Sequence, residues 1–172
     1  MRPFQDVKSA YEELYVSMLR SGKPTWKPTE KGYWGMAVSD EVHELLRQLN
    51  MGSQHKLLDL GSGDGKVVLI AAALGMDATG IEHDKELHDI AESMRKKLRL
   101  PATFINADFN DHSWKGFHLV FSNPDQHLDE EKLQTELTGR LVVYGPHYHP
   151  NSLRKHRTLD IQGTLISVFG KE

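Results

Sequence analysis

The segment that most constrains this chain is Lys56-Leu57-Leu58-Asp59-Leu60, which runs straight into Gly61-Ser62-Gly63-Asp64-Gly65 and then into the apolar stretch Lys66 to Leu74. A short apolar run that ends in glycines and opens a helix reads as strand, tight loop and helix. Glycines at such a turn let the backbone adopt positive φ and approach a ligand closely. The pattern then repeats. Ala78 to Glu82 reads as a strand, Asp84 to Leu98 as a helix with Leu87, Ile90, Met94 and Leu98 on one face, and Ala102 to Asn106 and Phe117 to Ser122 as strands. Asp129 to Leu137 reads as a short helix and Arg140 to Gly145 as a fifth strand. His156 to Ile161 and Thr164 to Phe169 flank Gln162-Gly163 and read as a closing hairpin. Strands alternating with helices predict a doubly wound α/β fold around a parallel sheet, with one antiparallel strand added at the end.

Before this core, apolar residues at Phe4, Val7, Tyr11, Leu14, Met18 and Leu19 predict a helix that stops at Gly22. Lys23 to Gly35 holds Pro24, Pro28, Gly32 and Gly35 with Trp26, Tyr33 and Trp34 among them, and reads as an ordered aromatic loop. Ser39 is the expected cap of a second helix, whose buried stripe is Val42, Leu45, Leu46 and Leu49. A chain of 172 residues corresponds to about one domain. The expected division is an N-terminal helix and aromatic loop over 1–38, covering the site, and a main domain over 39–172.

The glycine loop narrows the ligand. Glu82 ends the next strand about 20 positions after Gly61, where an acidic side chain can accept the ribose hydroxyls of an adenosine. The dinucleotide fingerprint is G-x-G-x-x-G, whereas the spacing here is G-x-G-x-G with Lys66 in the last glycine's place. Asp59 and Asp64 flank the loop and would repel a pyrophosphate. They suit a cationic amine, such as that of S-adenosylmethionine (SAM). An ATP-type loop, G-x-x-x-x-G-K-[ST], is lacking.

Leu58-Asp59-Leu60-Gly61-Ser62-Gly63-Asp64-Gly65, followed by Ile81-Glu82-His83-Asp84, resembles the first two motifs of the class I, seven-strand SAM-dependent methyltransferases. The resemblance runs from about Ser39 to the C-terminus. It implies a Rossmann-like sheet ordered 3-2-1-4-5-7-6, with strand 7 antiparallel. It implies SAM as cofactor and S-adenosylhomocysteine (SAH) as product. Carried over by position, Asp59, Gly61, Ser62, Gly63, Asp64 and Gly65 would hold the methionine part, and Glu82 the ribose, with His83 beside the adenosine. Asn106-Ala107-Asp108-Phe109 resembles the third motif, where Asp108 would accept from the adenine amino group and Phe109 would pack near the adenine face or lend its backbone N–H.

The fourth strand ends in Asn123-Pro124-Asp125-Gln126. Many amino-group methyltransferases carry (Asn or Asp)-Pro-Pro-(aromatic) here. The first half matches, so Asn123 is the expected residue orienting the acceptor and contacting the cofactor, with Asp125 as its catalytic companion. The missing aromatic weighs against a planar base. The D-L-G-S-G-D-G form and the short C-terminal half are similar to small archaeal protein-lysine methyltransferases, which share a core with the nucleosomal histone-lysine enzymes. In that group a segment before the first strand covers SAM, a part that falls here to Tyr33-Trp34 and the loop to Ser39.

The acceptor expected from this narrower resemblance is a protein lysine. An RNA or DNA base nitrogen is the alternative, suggested by Arg95-Lys96-Lys97 and Arg154-Lys155-His156-Arg157 but opposed by a net charge of −3. A non-catalytic SAM-binding protein is a third reading. His147 and His149, just past the fifth strand, lie near the expected acceptor pocket, and their spacing gives no third metal ligand; the other histidines, His83 apart, read as surface or edge residues. With no cysteine, thiolate chemistry is excluded. The longest apolar run, Val67 to Leu74, is too short to cross a bilayer, and the N-terminus lacks the apolar core of a signal peptide. A cytoplasmic protein without membrane contact is expected.

Overall fold

A computed structural model describes residues 3–124 and 127–171. Helix α1 (Phe4–Arg20) leads into a two-stranded hairpin, β1 (Trp26–Thr29) and β2 (Gly32–Gly35), and then α2 (Ser39–Gln48). The core follows as β3 (Lys56–Leu60), α3 (Lys66–Ala73), β4 (Asp77–Glu82), α4 (Lys85–Leu98) and β5 (Ala102–Asn106). A 3₁₀ turn over Phe109–Asp111 precedes β6 (Leu119–Ser122), α5 (Glu130–Glu136), β7 (Arg140–Tyr144), β8 (Arg154–Ile161) and β9 (Thr164–Gly170).

The large sheet is ordered β5-β4-β3-β6-β7-β9-β8. Counting its seven strands in chain order gives the expected 3-2-1-4-5-7-6. Strands β3 to β7 pair in parallel, and β9 runs antiparallel to both β7 and β8. The order reverses between β3 and β6, which opens a crevice beyond their C-terminal ends.

Period and burial explain the layers. Leu57 and Leu58, adjacent on β3, are both buried and belong to separate apolar clusters, one on each face of the sheet. The first cluster gathers Val7 and Tyr11 of α1, Val42, Leu45 and Leu46 of α2, and Val67 to Ala73 of α3. Helix α3 is apolar all round because other elements surround it, and even Lys66 is only 3% exposed. The second cluster packs Trp114, Leu133 of α5, Tyr148 and Leu153 against Leu58, Val120 and Leu141. Asp84 caps α4 by accepting from the Leu87 N–H at 3.0 Å, and Asp129 caps α5 from Glu131 and Lys132.

Strand β8 is the sheet edge. Residues Arg154 to Thr158 are exposed, and a register shift falls between Lys155 and Arg157. Charged side chains and an irregular ladder on an edge discourage pairing with another chain. Among the described residues, no helix is long and apolar enough to cross a membrane.

Two local expectations need correction. The segment Lys23 to Gly35, read as a loop, contains the hairpin, with Trp26 paired to Gly35 and Thr29 to Gly32. Ser39 does not cap α2: it is the first helical residue, and Val38 takes the cap position without a capping bond from its own side chain. The helix start is instead supported by the Tyr144 hydroxyl, which accepts from the Val38 N–H at 3.2 Å and itself donates to the Glu41 carboxylate.

Trp114 ties the fold to the site. It is fully buried, its indole N–H donates to the Phe109 carbonyl at 2.9 Å, and its backbone N–H donates to Glu136 at 2.7 Å. Replacing Trp114 by Ala should cost about 3–5 kcal/mol of stability, read from denaturant unfolding. A loss below about 1 kcal/mol would show that this buttress is dispensable.

Candidate active site

Strands β3, β4, β5 and β6 deliver their C-terminal loops to one edge of the sheet, and the β1–β2 hairpin lies across that edge. Three adjoining hollows result. The first encloses about 750 Å³, partly open to solvent, among Gly61, Glu82, His83, Asp108, Phe109 and the hairpin residues Lys31, Tyr33, Trp34 and Gly35. The second, about 340 Å³, lies around Asp59, Gly63, Asp64 and Trp34. The third, about 900 Å³, is lined by Tyr33, Gly35, Asn123, Pro124, His127, His147 and Tyr148. Gly61 and Trp34 line both the first and the second, while Tyr33 and Pro124 line both the first and the third. Gly35 and Asn123 line all three.

Glu82 organises the floor. It is 5% exposed at the end of β4. One carboxylate oxygen accepts from the Gly63 N–H and the other from the Asp84 N–H, both at 2.8 Å. The loop after β3 is thereby bonded to the loop after β4. Each oxygen keeps a second lone pair for a hydroxyl donor. His83 Nδ1 lies 3.2 Å from the carboxylate, and its buried Nε2 has no partner among the described residues.

Asp59 is buried at 3% exposure, and among the described residues nothing donates to its carboxylate. Burial, then the neighbouring Glu82 and Asp64 carboxylates, push its pKa well above the ordinary carboxylate value. A cation placed in the second hollow would relieve that repulsion. Gly61 sits at φ +74°, and a Cβ there would meet nothing within 4 Å, so the cradle between the two hollows is open. Gly63, by contrast, is covered: its Cβ would lie 2.6 Å from the Trp34 ring. A buried acid without a donor, an open glycine cradle and an acidic strand end fit a nucleoside that carries an ammonium group, as SAM does.

The hairpin is strapped down by charge. Lys31 pairs with Asp108, and Lys27 pairs with Asp84 at 3.0 Å and Glu86 at 2.8 Å. Burial alone would raise the Asp108 carboxyl, but Lys31 and the Asn110 N–H bring it below its ordinary value. The Asn123 amide donates to the Gly35 carbonyl at 3.4 Å. That bond leaves the Asn123 Oδ1 as the amide's acceptor where the three hollows meet.

Most of the residues expected from sequence are brought together here. Asp59, Gly61, Gly63, Glu82, His83, Asp108, Phe109, Asn123 and Tyr33 all line the hollows. Tyr33 is 68% exposed, and the buried cover is its neighbour Trp34, at 7%. Ser62 lines the second hollow, but its hydroxyl packs on Gly80, where a Cβ would come within 2.6 Å. Asp64 also lines it, with its carboxylate already engaged by Tyr15 at 2.5 Å and the Lys66 N–H at 3.3 Å. Gly65 lines none of the three and starts α3 in the left-handed region. His147 reaches the third hollow, whereas His149 packs edge-on against Phe169. Asp125 lies outside the described residues. Lys31, Tyr15 and His127 were not singled out by sequence. Their partners are distant in the chain, and His127 reads as a surface residue until Tyr148 is placed beside it.

Comparison with known proteins follows the same outline. The family model described as "Histone methylation protein DOT1" matches residues 19–127, well over half the chain. No curated protein matches in sequence. Among solved structures, an RNA methyltransferase from Salinibacter ruber in complex with SAH superposes with a TM-score of 0.68 at 23% identity, covering 80% of this chain and 94% of that one. A putative methyltransferase, yhhF, from Escherichia coli gives 0.63 at 21% identity, with 77% and 85% covered. A TehB-like SAM-dependent methyltransferase from Corynebacterium glutamicum gives 0.60 at 16% identity, with 96% and 98% covered. At these identities the likeness is one of fold.

The Asp59 environment has a measurable consequence. A folded-state pKa raised above the unfolded value means the folded chain binds more protons between the two, so stability falls as pH rises through that window. Asp59→Asn should therefore raise the denaturant midpoint at about pH 7, with the gain shrinking as pH falls toward the ordinary carboxylate range. A variant less stable than wild type at neutral pH would contradict this reading of the site.

Proposed function

The chain belongs to the DOT1 family of histone methylation proteins, and from that premise we propose that it transfers a methyl group from SAM to the side-chain amine of a lysine in a protein acceptor. It is a SAM-dependent methyltransferase with a Rossmann-like sheet, and SAH is its product. The observation that carries the acceptor reading is the third hollow. It meets the cofactor cavity at Asn123, and its described lining holds neither a carboxylate nor a lysine or arginine.

Bound SAM would supply an activated methyl group on a sulfonium, so the protein's task is alignment. Asp59 would take the ammonium of the amino-acid half and Glu82 the ribose hydroxyls. Asp108, once released from Lys31, would accept from the adenine amino group, with Phe109 beside the ring. The Gly61 to Gly65 loop would cradle the amino-acid half through its backbone. Residues 1–38 serve as the cover and 39–172 as the catalytic domain. Asn123 would orient the acceptor amine through Oδ1. A lysine has a reference pKa near 10.4 and attacks only when neutral. A hollow whose described lining carries no fixed charge favours the neutral amine by desolvation.

A nucleic-acid base is the second reading. Asn123-Pro124 matches half of a base-methylating motif, and the hairpin's Tyr33 stands at the same hollow as an aromatic wall. The fold neighbour from Salinibacter ruber is an RNA methyltransferase. The DOT1 membership favours protein.

The test is transfer of labelled methyl from SAM into cell extract, with the product digested by protease or by nuclease. Label released by protease and retained after nuclease supports the lysine reading. Label released only by nuclease moves the assignment to a base, and no transfer at all leaves a SAM-binding protein. On a lysine acceptor, kcat/KM should rise about tenfold per pH unit below the amine's pKa. Asn123→Ala should lower kcat, measured at saturating SAM, about 10- to 100-fold. A pH-flat rate, or an unimpaired Asn123→Ala enzyme, would overturn the proposed roles.

A further inference from the structure

Helix α1 reaches the glycine loop with two tyrosines that line none of the three hollows. The Tyr11 hydroxyl donates to the main-chain carbonyl of Asp64 at 2.7 Å. One helical turn later, the Tyr15 hydroxyl donates to the Asp64 carboxylate at 2.5 Å. The other carboxylate oxygen accepts from the Lys66 N–H. The Lys66 ammonium, buried with the cluster, lies 4.7 Å from the centre of the Tyr15 ring and 5.8 Å from that of Tyr11. Residue 64 is thus held at its main chain and at its side chain by one helix, some 50 residues away in the chain.

This cluster is more than packing. Packing alone would be met by phenylalanines at both positions, yet both hydroxyls converge on a single residue of the loop. Burial raises both phenols well above their ordinary pKa, and the adjacent Asp64 carboxylate adds to the rise, so both stay protonated donors throughout the working pH range. Asp64 and Lys66 offset each other's charge. Gly65 follows Asp64 in the left-handed region and starts α3, so the position of residue 64 sets the path of the loop between Gly61 and the helix. The DOT1 match begins at residue 19, so residues 4–18, which bring both tyrosines, lie outside the matched segment.

We propose that Tyr15 and Tyr11 are positioning residues: by holding Asp64 they keep the Gly61 to Gly65 loop in the shape that receives the amino-acid half of SAM. The inference rests on the cofactor reading above. A loop that must be ordered on binding weakens apparent affinity in proportion to the fraction already competent, and a pre-ordered loop avoids that loss. The adenosine half would be held elsewhere, by Glu82, His83 and Asp108 at the ends of β4 and β5, so the two halves of the ligand should respond differently.

The experiment is calorimetric titration of the full chain, wild type, Tyr15→Phe and Tyr11→Phe, with SAM, SAH and 5′-methylthioadenosine. The last probe keeps the adenosine and thioether and lacks the amino-acid group. SAM and SAH should bind about tenfold more weakly to Tyr15→Phe, the share expected of one charge-assisted hydrogen bond, and about three- to tenfold more weakly to Tyr11→Phe, which loses a neutral one, while 5′-methylthioadenosine changes by less than about twofold in either. Equal weakening of all three ligands would mean general damage and would overturn the inference, as would variants that match wild type. A wild type that binds none of the three would refute the cofactor reading and this inference with it.

Discussion

The Glu82 carboxylate is the bond on which the site depends. Its two oxygens accept backbone N–H groups from Gly63 and Asp84, at the ends of two neighbouring parallel strands. A buried carboxylate is costly unless such donors surround it. Here the donors exist only when the glycine loop folds back over β4, so satisfying the charge shapes the loop. The first hollow is what remains above that bond, and Asp59, in register beside Gly80 on β4, is enclosed by the same arrangement. Glu82 and Asp59 put two buried carboxylates in one crevice, a site whose natural complement is a cation, and SAM carries two positive centres.

The N-terminal third completes what the sheet leaves open. The hairpin lays Trp34 over Gly63 and clips itself to Asp84, Glu86 and Asp108 by lysines. Helix α1 holds Asp64 from its own side of the loop. The hairpin's ion pairs are only partly buried, whereas the Tyr11 bond to Asp64 is fully buried. Lys31 and the Asn110 N–H each hold one oxygen of the Asp108 carboxylate at the end of β5.

The fold was legible where chemistry is local. Strand β3, the glycine loop and α3 are contiguous, and their pattern of apolar run, glycines and small apolar helix admits few other structures. Sheet order came through resemblance to a known motif, and the strand pairing agrees. The hairpin was not legible because Pro28 lies inside β1, and a proline inside a run demotes it as a strand. Its four-residue strands are held by side chains that reach the body of the fold. Ser39 looked like a cap because caps are read from residue type, whereas the start of α2 is supported by Tyr144 and Glu41, more than 100 residues apart. The bonds from Tyr11 and Tyr15 to Asp64 are not legible for the same reason: those partners are brought in by tertiary structure alone.

The central claim is that this crevice binds SAM through the acid at the end of β4. The most direct measurement is calorimetric titration of SAM into wild type and Glu82→Gln, with circular dichroism to confirm that both are folded. The account predicts one SAM per wild-type chain and binding at least about tenfold weaker in a folded Glu82→Gln protein. Failure of the wild type to bind SAM, or equal affinity in the two proteins, would contradict it.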